Sequence, residues 1–212
     1  MTWERIQGAT SSGLDTHHAA WFRKGWEEAS KMTRSLMNTH WTLDPFARTC
    51  PWADIRNDIN PTMPTDHHLD ALEFLQLLKK THGPSMARII ILDPPFSERQ
   101  AERYMDEMGH PNLYASPGYM GRLGVLVKDL LAGGGVVLKL GFNSNAPTQG
   151  LELVKGWTVA FGGGRNDVQM SIWRWPNMTL DEWPTLEDKP KKAYVPAPIL
   201  PWGMPGYNPL LP

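Results

Sequence analysis

The chain has 212 residues, 41% hydrophobic and 20% charged, with 19 glycines, 19 prolines and one cysteine; this is room for one domain with a real core, and it excludes a wholly disordered chain, an internal disulfide and a zinc site built on paired cysteines. A formal net charge of −1 and a pI near 6.7 exclude a global positive field, so a nucleic-acid partner would need a local basic face. No apolar stretch reaches the roughly 18–20 residues of a membrane span, and the start, MTWERIQGATSSGLD, lacks a basic-then-apolar leader pattern, so the sequence reads as a soluble, cytoplasmic protein with no membrane partner.

In chain order, residues 16–38 place Trp21, Phe22, Trp26, Ala29, Met32, Thr33 and Leu36 at helical spacing. This predicts an amphipathic helix with Arg23, Lys24, Lys31 and Arg34 on its solvent face. HWTLDPF and ADIRNDINP are short segments that each end in acid and turn residues. DHHLDALEFLQLLKKTHG begins at an acid and reads helical. MARIIILDPPF is β-branched, and the unbroken run Ile89–Leu92 suits a strand buried on both faces of a parallel sheet. SERQAERYMDEMG starts with Ser97 as a cap and reads as an exposed helix. GYMGRLGVLVKDLLAGGG reads as a helix ended by glycines, and GGVVLKLGF as a strand. GWTVAFGGGRNDVQMSIWRW reads as a hairpin.

Strands alternating with helices and closed by an antiparallel pair predict an α/β, Rossmann-like, mostly parallel doubly wound sheet with a C-terminal antiparallel hairpin. The domain is expected over residues 1–175. From Pro176 to residue 212 the chain is proline-dense with Trp202 and Tyr207 interleaved. That composition predicts an extended tail, laid over the domain or over a protein partner, or disordered.

In such sheets ligands bind beyond the carboxyl ends of the strands. Four acids stand at candidate strand ends: Asp44 in LDPF, Asp58 in NDINP, Asp70 in LDAL and Asp93 in LDPPF. A single acid in this position is more often a helix cap or turn former; four in succession suggest a site.

DPPF at 93–96 and DPFA at 44–47 resemble the motifs of class I S-adenosylmethionine-dependent methyltransferases, in particular those acting on adenine N6 or cytosine N4 in DNA. The resemblance runs from about Trp41 to Trp175. Details such as DPFAR, NDINP, LDALEFL and DPPFSERQAERY are similar to short phage-encoded members, whose setting would be the host cytoplasm. The resemblance implies an enzyme with S-adenosyl-L-methionine as cofactor and a nucleic-acid partner, DNA ahead of RNA. It implies that Asp93 and the Pro94 carbonyl accept the two amine hydrogens of the target base, that Pro94 and Pro95 stiffen the turn, and that Phe96 stacks on a base taken out of its helix. It also implies that the backbone around Asp44, Pro45 and Phe46 lies near the methionine part of the cofactor, Asp58 at the ribose, and Asp70 with Ala71 or Leu72 at the adenine. An RNA base as acceptor is the first alternative. A degenerate fold serving as a binding or structural subunit, for instance of a phage particle, is the second.

The sequence departs from the family where the first motif should continue through a glycine-rich turn into a helix. Arg48, Thr49 and Cys50 replace the glycines, and the spacing from Asp44 to Asp58 leaves no room for a turn, a helix and a strand. That helix is expected to be missing or reduced to a turn, with Arg48 a candidate for the cofactor carboxylate. Target specificity would rest on the short loops at 115–122 and 142–150, or on a partner. Arg99, Arg103 and Arg122 are candidate phosphate contacts, though solvated helix surface is the plainer role for each. Asn166, with Arg165 and Asp167, belongs to a hairpin turn that could border the substrate. AFGGGRND lies between two strands and fails the context of a phosphate loop. A zinc site from His17, His18, His67 and His68 is weighed and not adopted, so no metal is expected. The tryptophans read as core and tail anchors, with stacking on single-stranded DNA as the sharper alternative.

Overall fold

The structure, a computed structural model, describes residues 2–8, 20–95, 97–108, 116–143, 145–161 and 167–176. Among the described residues seven strands form one sheet: β1 (Thr2–Gln7), β2 (Trp41–Asp44), β3 (Ile55–Arg56), β4 (Ala87–Leu92), β5 (Leu131–Gly141), β6 (Glu152–Ala160) and β7 (Val168–Arg174). Their order is β1-β6-β7-β5-β4-β2-β3. β1 runs parallel to β6, β2 to both β3 and β4, and β4 to β5. β7 is antiparallel to both of its neighbours. The α/β class, the mostly parallel sheet and the closing antiparallel hairpin are therefore as expected. Among the described residues no helix is long and apolar enough to cross a membrane.

Four helices complete the layers: α1 (Ala20–Met32), α2 (Ala71–His82), α3 (Glu98–Met108) and α4 (Tyr119–Leu130). All six residues of β4 are buried, because its side chains alternate between two cores. Ile90 and Leu92 meet Phe74, Leu75 and Leu78 of α2 and Leu123 and Val127 of α4 in the first core. Ile89 and Ile91 join Trp21, Phe22 and Ala29 of α1 in the second, with Trp157 and Met170. Gly25 is what lets α1 approach so closely, since a Cβ there would stand 2.5 Å from the Met170 sulfur.

Several boundaries differ from the sequence reading. α1 stops at Met32, which is 38% exposed and outside the core where periodicity placed it. Thr33, buried, still donates to the Ala29 carbonyl through its amide at 3.1 Å and its Oγ1 at 2.9 Å; a single 3-10 turn, Arg34–Leu36, follows. α4 is not ended by glycines. It stops at Leu130, and Gly133, Gly134 and Gly135 lie within β5. There Leu131 pairs with Ala87 and Val136 with Ile89, so β5 bulges between them. Gly134 turns through a φ of 72°, and a Cβ on Gly135 would come within 2.9 Å of the Ala87 and Ala132 carbonyls. Only glycine fits that bulge. α3 is capped as predicted, with Ser97 Oγ accepting from Gln100 N at 3.2 Å, yet it buries Ala101 and Met105. β1 has no counterpart in the sequence reading. It is a half-exposed edge strand held by its ladder to β6 and by Lys24 Nζ donating to Glu4 at 2.6 Å. The proline-rich segment falls outside the described residues from 177 on.

Phe22 is fully buried and ties α1 to the sheet. Phe22→Ala should lower the unfolding free energy by about 3–5 kcal/mol through the cavity it leaves, measured by urea denaturation with the slope m unchanged.

Candidate functional site

The chain leaves β2 toward β3 on one side and returns to β4 on the other. This reversal splays the loops after β2 and β4 and opens a crevice at their carboxyl ends. A cavity lies there, with about 820 Å³ of space, solvent at its mouth included. Its lining brings together Pro45, Phe46 and Arg48 after β2, Asp58 and Ile59 after β3, Asp70 and Ala71 at the start of α2, and Asp93, Pro94 and Pro95 after β4; Gln100, Met105 and Tyr119 close it.

The segment after β2 holds no helix. Residues 45–50 form two turns, with Cys50 N donating to the Ala47 carbonyl at 2.6 Å. Ala47 and Cys50 are fully buried in the α1-side core. Trp52 stacks on Trp26 with centroids 5.7 Å apart. Those apolar anchors occupy the place a helix would cover. Arg48 stands at a φ of 48°, a left-handed conformation that glycine adopts more cheaply. In that conformation its amide donates to Asp58 Oδ2 at 3.1 Å.

Hydrogen bonds fix the loops to one another. Asn57, fully buried, donates through Nδ2 to the carbonyls of Pro45 (3.1 Å) and Leu69 (2.9 Å) and accepts from Leu69 N at 3.0 Å. One side chain thus joins the segments after β2 and before α2 at the end of β3, where Asn57 also bridges in parallel to His67. Asp58 accepts from Asn60 N at 2.8 Å through its other oxygen. Burial raises the Asp58 pKa above the ordinary carboxylate value, although the Asn60 and Arg48 amides and the charges of Arg48 and His68 oppose the shift. Asp70 caps α2, accepting from Leu72 N at 2.9 Å, and its second oxygen accepts from the Tyr119 hydroxyl at 2.8 Å. The cap reading and the site reading of Asp70 therefore describe one residue.

The predicted residues fall into groups. Pro45, Phe46, Asp58, Asp70, Ala71, Asp93, Pro94 and Pro95 all line the cavity. Asp44 does not. It lies fully buried beneath the cavity, where Oδ1 accepts from Phe46 N at 3.0 Å and shapes the turn. Arg99 is exposed at the start of α3. Arg122 is turned onto its own loop, donating to the Pro117 carbonyl at 2.9 Å and to Ser116 Oγ at 3.1 Å. Phe96, Asn166 and Arg165 lie outside the described residues, as do His17 and His18; among the described residues no three His, Cys, Asp or Glu groups gather as metal ligands. Sequence reasoning missed Asn57, Tyr119, Gln100 and Met105. The aromatic at the start of α4 carried no motif, and Asn57 read as a turn former.

No family model matches the chain, and no curated protein does either. Solved structures align with it at low similarity. The Escherichia coli protein yhhF, assigned provisionally to the methyltransferases by its printed name, matches with a TM-score of 0.41 and 11% identity over 72% of this chain and 85% of that one. An S-adenosyl-L-methionine methyltransferase from Silicibacter pomeroyi DSS-3 matches with a TM-score of 0.40 and 15% identity over 72% and 90%. At that level of similarity neither likeness assigns an activity or a substrate to this chain.

Asn57→Ala removes three hydrogen bonds, stranding the buried Pro45 carbonyl and freeing the half-buried amide and carbonyl of Leu69. It should cost about 2–4 kcal/mol of stability, read by thermal or chemical denaturation, and should raise hydrogen exchange in both flanking loops.

Proposed function

We propose that the protein transfers a methyl group from S-adenosylmethionine to an exocyclic amine of a nucleic-acid base, with adenine N6 in DNA the favoured acceptor. One observation carries the reading: Asp93, Pro94 and Pro95 form one wall of the same cavity that Asp58, Asp70, Ala71 and Arg48 line. That juxtaposition supports reading the first group as an amine clamp and the second as a nucleoside-binding set.

The donor set fits the cofactor. Asp58 and Asp70 are buried acceptors whose backbone and hydroxyl partners leave lone pairs toward the cavity, suited to a ribose diol and an adenine amine. Ile59, Leu69 and Ala71 supply apolar surface for a purine ring, and Arg48 supplies a cation for a carboxylate. When bound, the cofactor supplies an electrophilic methyl on a sulfonium. The chain's own work is positional. An exocyclic amine is a weak nucleophile because its lone pair is delocalised into the ring. Asp93 Oδ and the Pro94 carbonyl would each accept one amine hydrogen, turning that lone pair out of the ring plane and along the line of attack. The two prolines hold the acceptors still, since each ring fixes φ and neither residue has an N–H to redirect the turn. With the methyl supplied by the bound cofactor, the amine would give up one hydrogen as a proton, along its hydrogen bond to Asp93 Oδ and on to water.

Asp93→Ala should reduce methyl transfer by at least about 100-fold, since positioning of this kind contributes several kcal/mol. Affinity for S-adenosylhomocysteine, measured by isothermal titration, should hold within about threefold, because Asp93 serves the acceptor. Full turnover in that variant would sink the clamp.

The buried Asp58 gives a pH signature. A carboxylate raised by burial takes its proton at a higher pH than an exposed aspartate, and once protonated it is a poorer acceptor for a diol. Titrations from about pH 8 down to about pH 4.5 should show S-adenosylhomocysteine affinity falling before the ordinary carboxylate range is reached. Asp58→Asn should bind weakly at every pH and flatten that profile.

A further inference from the structure

The cavity is one end of a longer path. Pro94 and Pro95 also wall a wide groove, whose other side comes from α4, the end of β5 and residues 142, 143 and 145–149. Phe142, Asn143 and Asn145 belong both to that groove and to a shallower depression lined by Trp3, Thr158 and Gln169. The surface therefore continues from the Pro94–Pro95 corner past Phe142 to Trp3 on the edge strand.

Its chemistry is uneven in a way the whole chain is not. Trp3 is 40% exposed and Phe142 43%, and both present aromatic surface. The charged side chains along the groove are Lys128 and Lys139, with no carboxylate among its described lining residues, and the depression at Trp3 carries no charge. On a protein of net charge −1 this is a local basic and aromatic strip.

The strip is also supported from beneath. Trp3 pairs in register with Gly156, where a Cβ would come within 2.7 Å of the indole, so glycine clears a seat for the ring. Lys139 Nζ donates to Asn143 Oδ1 at 3.0 Å and to the Asn145 carbonyl at 2.6 Å, which fixes the turn that carries Phe142. Gly124 of α4 meets the Pro147 carbonyl so closely that a Cβ would stand 2.7 Å from it.

We infer that this path binds single-stranded DNA, with bases stacked on Phe142 and Trp3 and phosphates running past Lys128 and Lys139, and delivers one base to the Pro94–Pro95 corner. Aromatic faces accept any base, but only one whose own face is exposed, so an intact duplex cannot use them. The inference rests on the nucleic-acid reading above and adds to it the strandedness of the substrate and the residues that hold its flank.

The test is fluorescence anisotropy with a labelled mixed-sequence single-stranded DNA of about 12 nucleotides and with its duplex, on the full chain, with titration of S-adenosylhomocysteine on the same preparation. The expected result is tighter binding of the single strand, a loss of about five- to 100-fold in Trp3→Leu and in Phe142→Leu, and recovery of most of that loss in Trp3→Tyr. Unchanged affinity in both leucine variants, or a duplex bound as tightly, overturns the inference. So does a wild-type chain that binds no oligonucleotide, the outcome expected if residues 177–212 occupy the path. Binding that depends on Trp3 in a chain with no affinity for S-adenosylhomocysteine would instead sink the methyl-transfer reading and leave the DNA path standing.

Discussion

The site depends on the side chain of Asn57. A carboxamide offers both donors and acceptors on one short, planar group, and here it satisfies the Pro45 carbonyl and both backbone groups of Leu69. Those partners belong to two loops, one between β2 and β3 and the other between β3 and α2. Because Asn57 is fully buried, its bonds are shielded from competing water, and breaking them would leave polar groups stranded in a low-dielectric interior. The cavity walls from Pro45 to Asp70 keep their shape through this bracket. Asp58, one residue on, extends it by accepting from the amides of Arg48 and Asn60.

The same region shows how a turn can cover a sheet where no helix stands. The strip of sheet beside β2 still needs apolar cover, and Ala47, Cys50 and Trp52 supply part of it from a turn, with α1, just ahead of β2 in the chain, supplying the rest. The contact of Trp26 with Trp52 is where the two covers meet. The substitution has a cost in backbone freedom, visible in the left-handed Arg48. It also places a cationic side chain at the cavity, where a glycine turn would bring only backbone.

Much of this was legible in the sequence because the signals are local. The run Ile89–Leu92, the acid at the head of α2 and the proline pair after β4 are each dictated by a few neighbouring residues. The missing helix was legible too, from the spacing of Asp44 and Asp58 alone. Other features were not. The glycines at 133–135 read as a helix stop, since a bulge in β5 exists only against the register of β4. Asp44 read as part of the site by its motif, but depth below a surface is not a property of a motif. β1 left no trace because TWERIQ is half-exposed, and its partner strand is distant in the chain.

The sequence by itself determined the class of sheet, the order of its acids and the stiff Asp93–Pro95 corner, because these follow from side-chain periodicity and from prolines that need no partner. Only the tertiary structure decided which of those acids share a cavity, that Tyr119 joins Asp70 there, and that Phe142 and Trp3 lie along one surface. Such pairings are made between segments far apart in the chain. They follow from strand order and register, which long-range packing selects and local propensity leaves open.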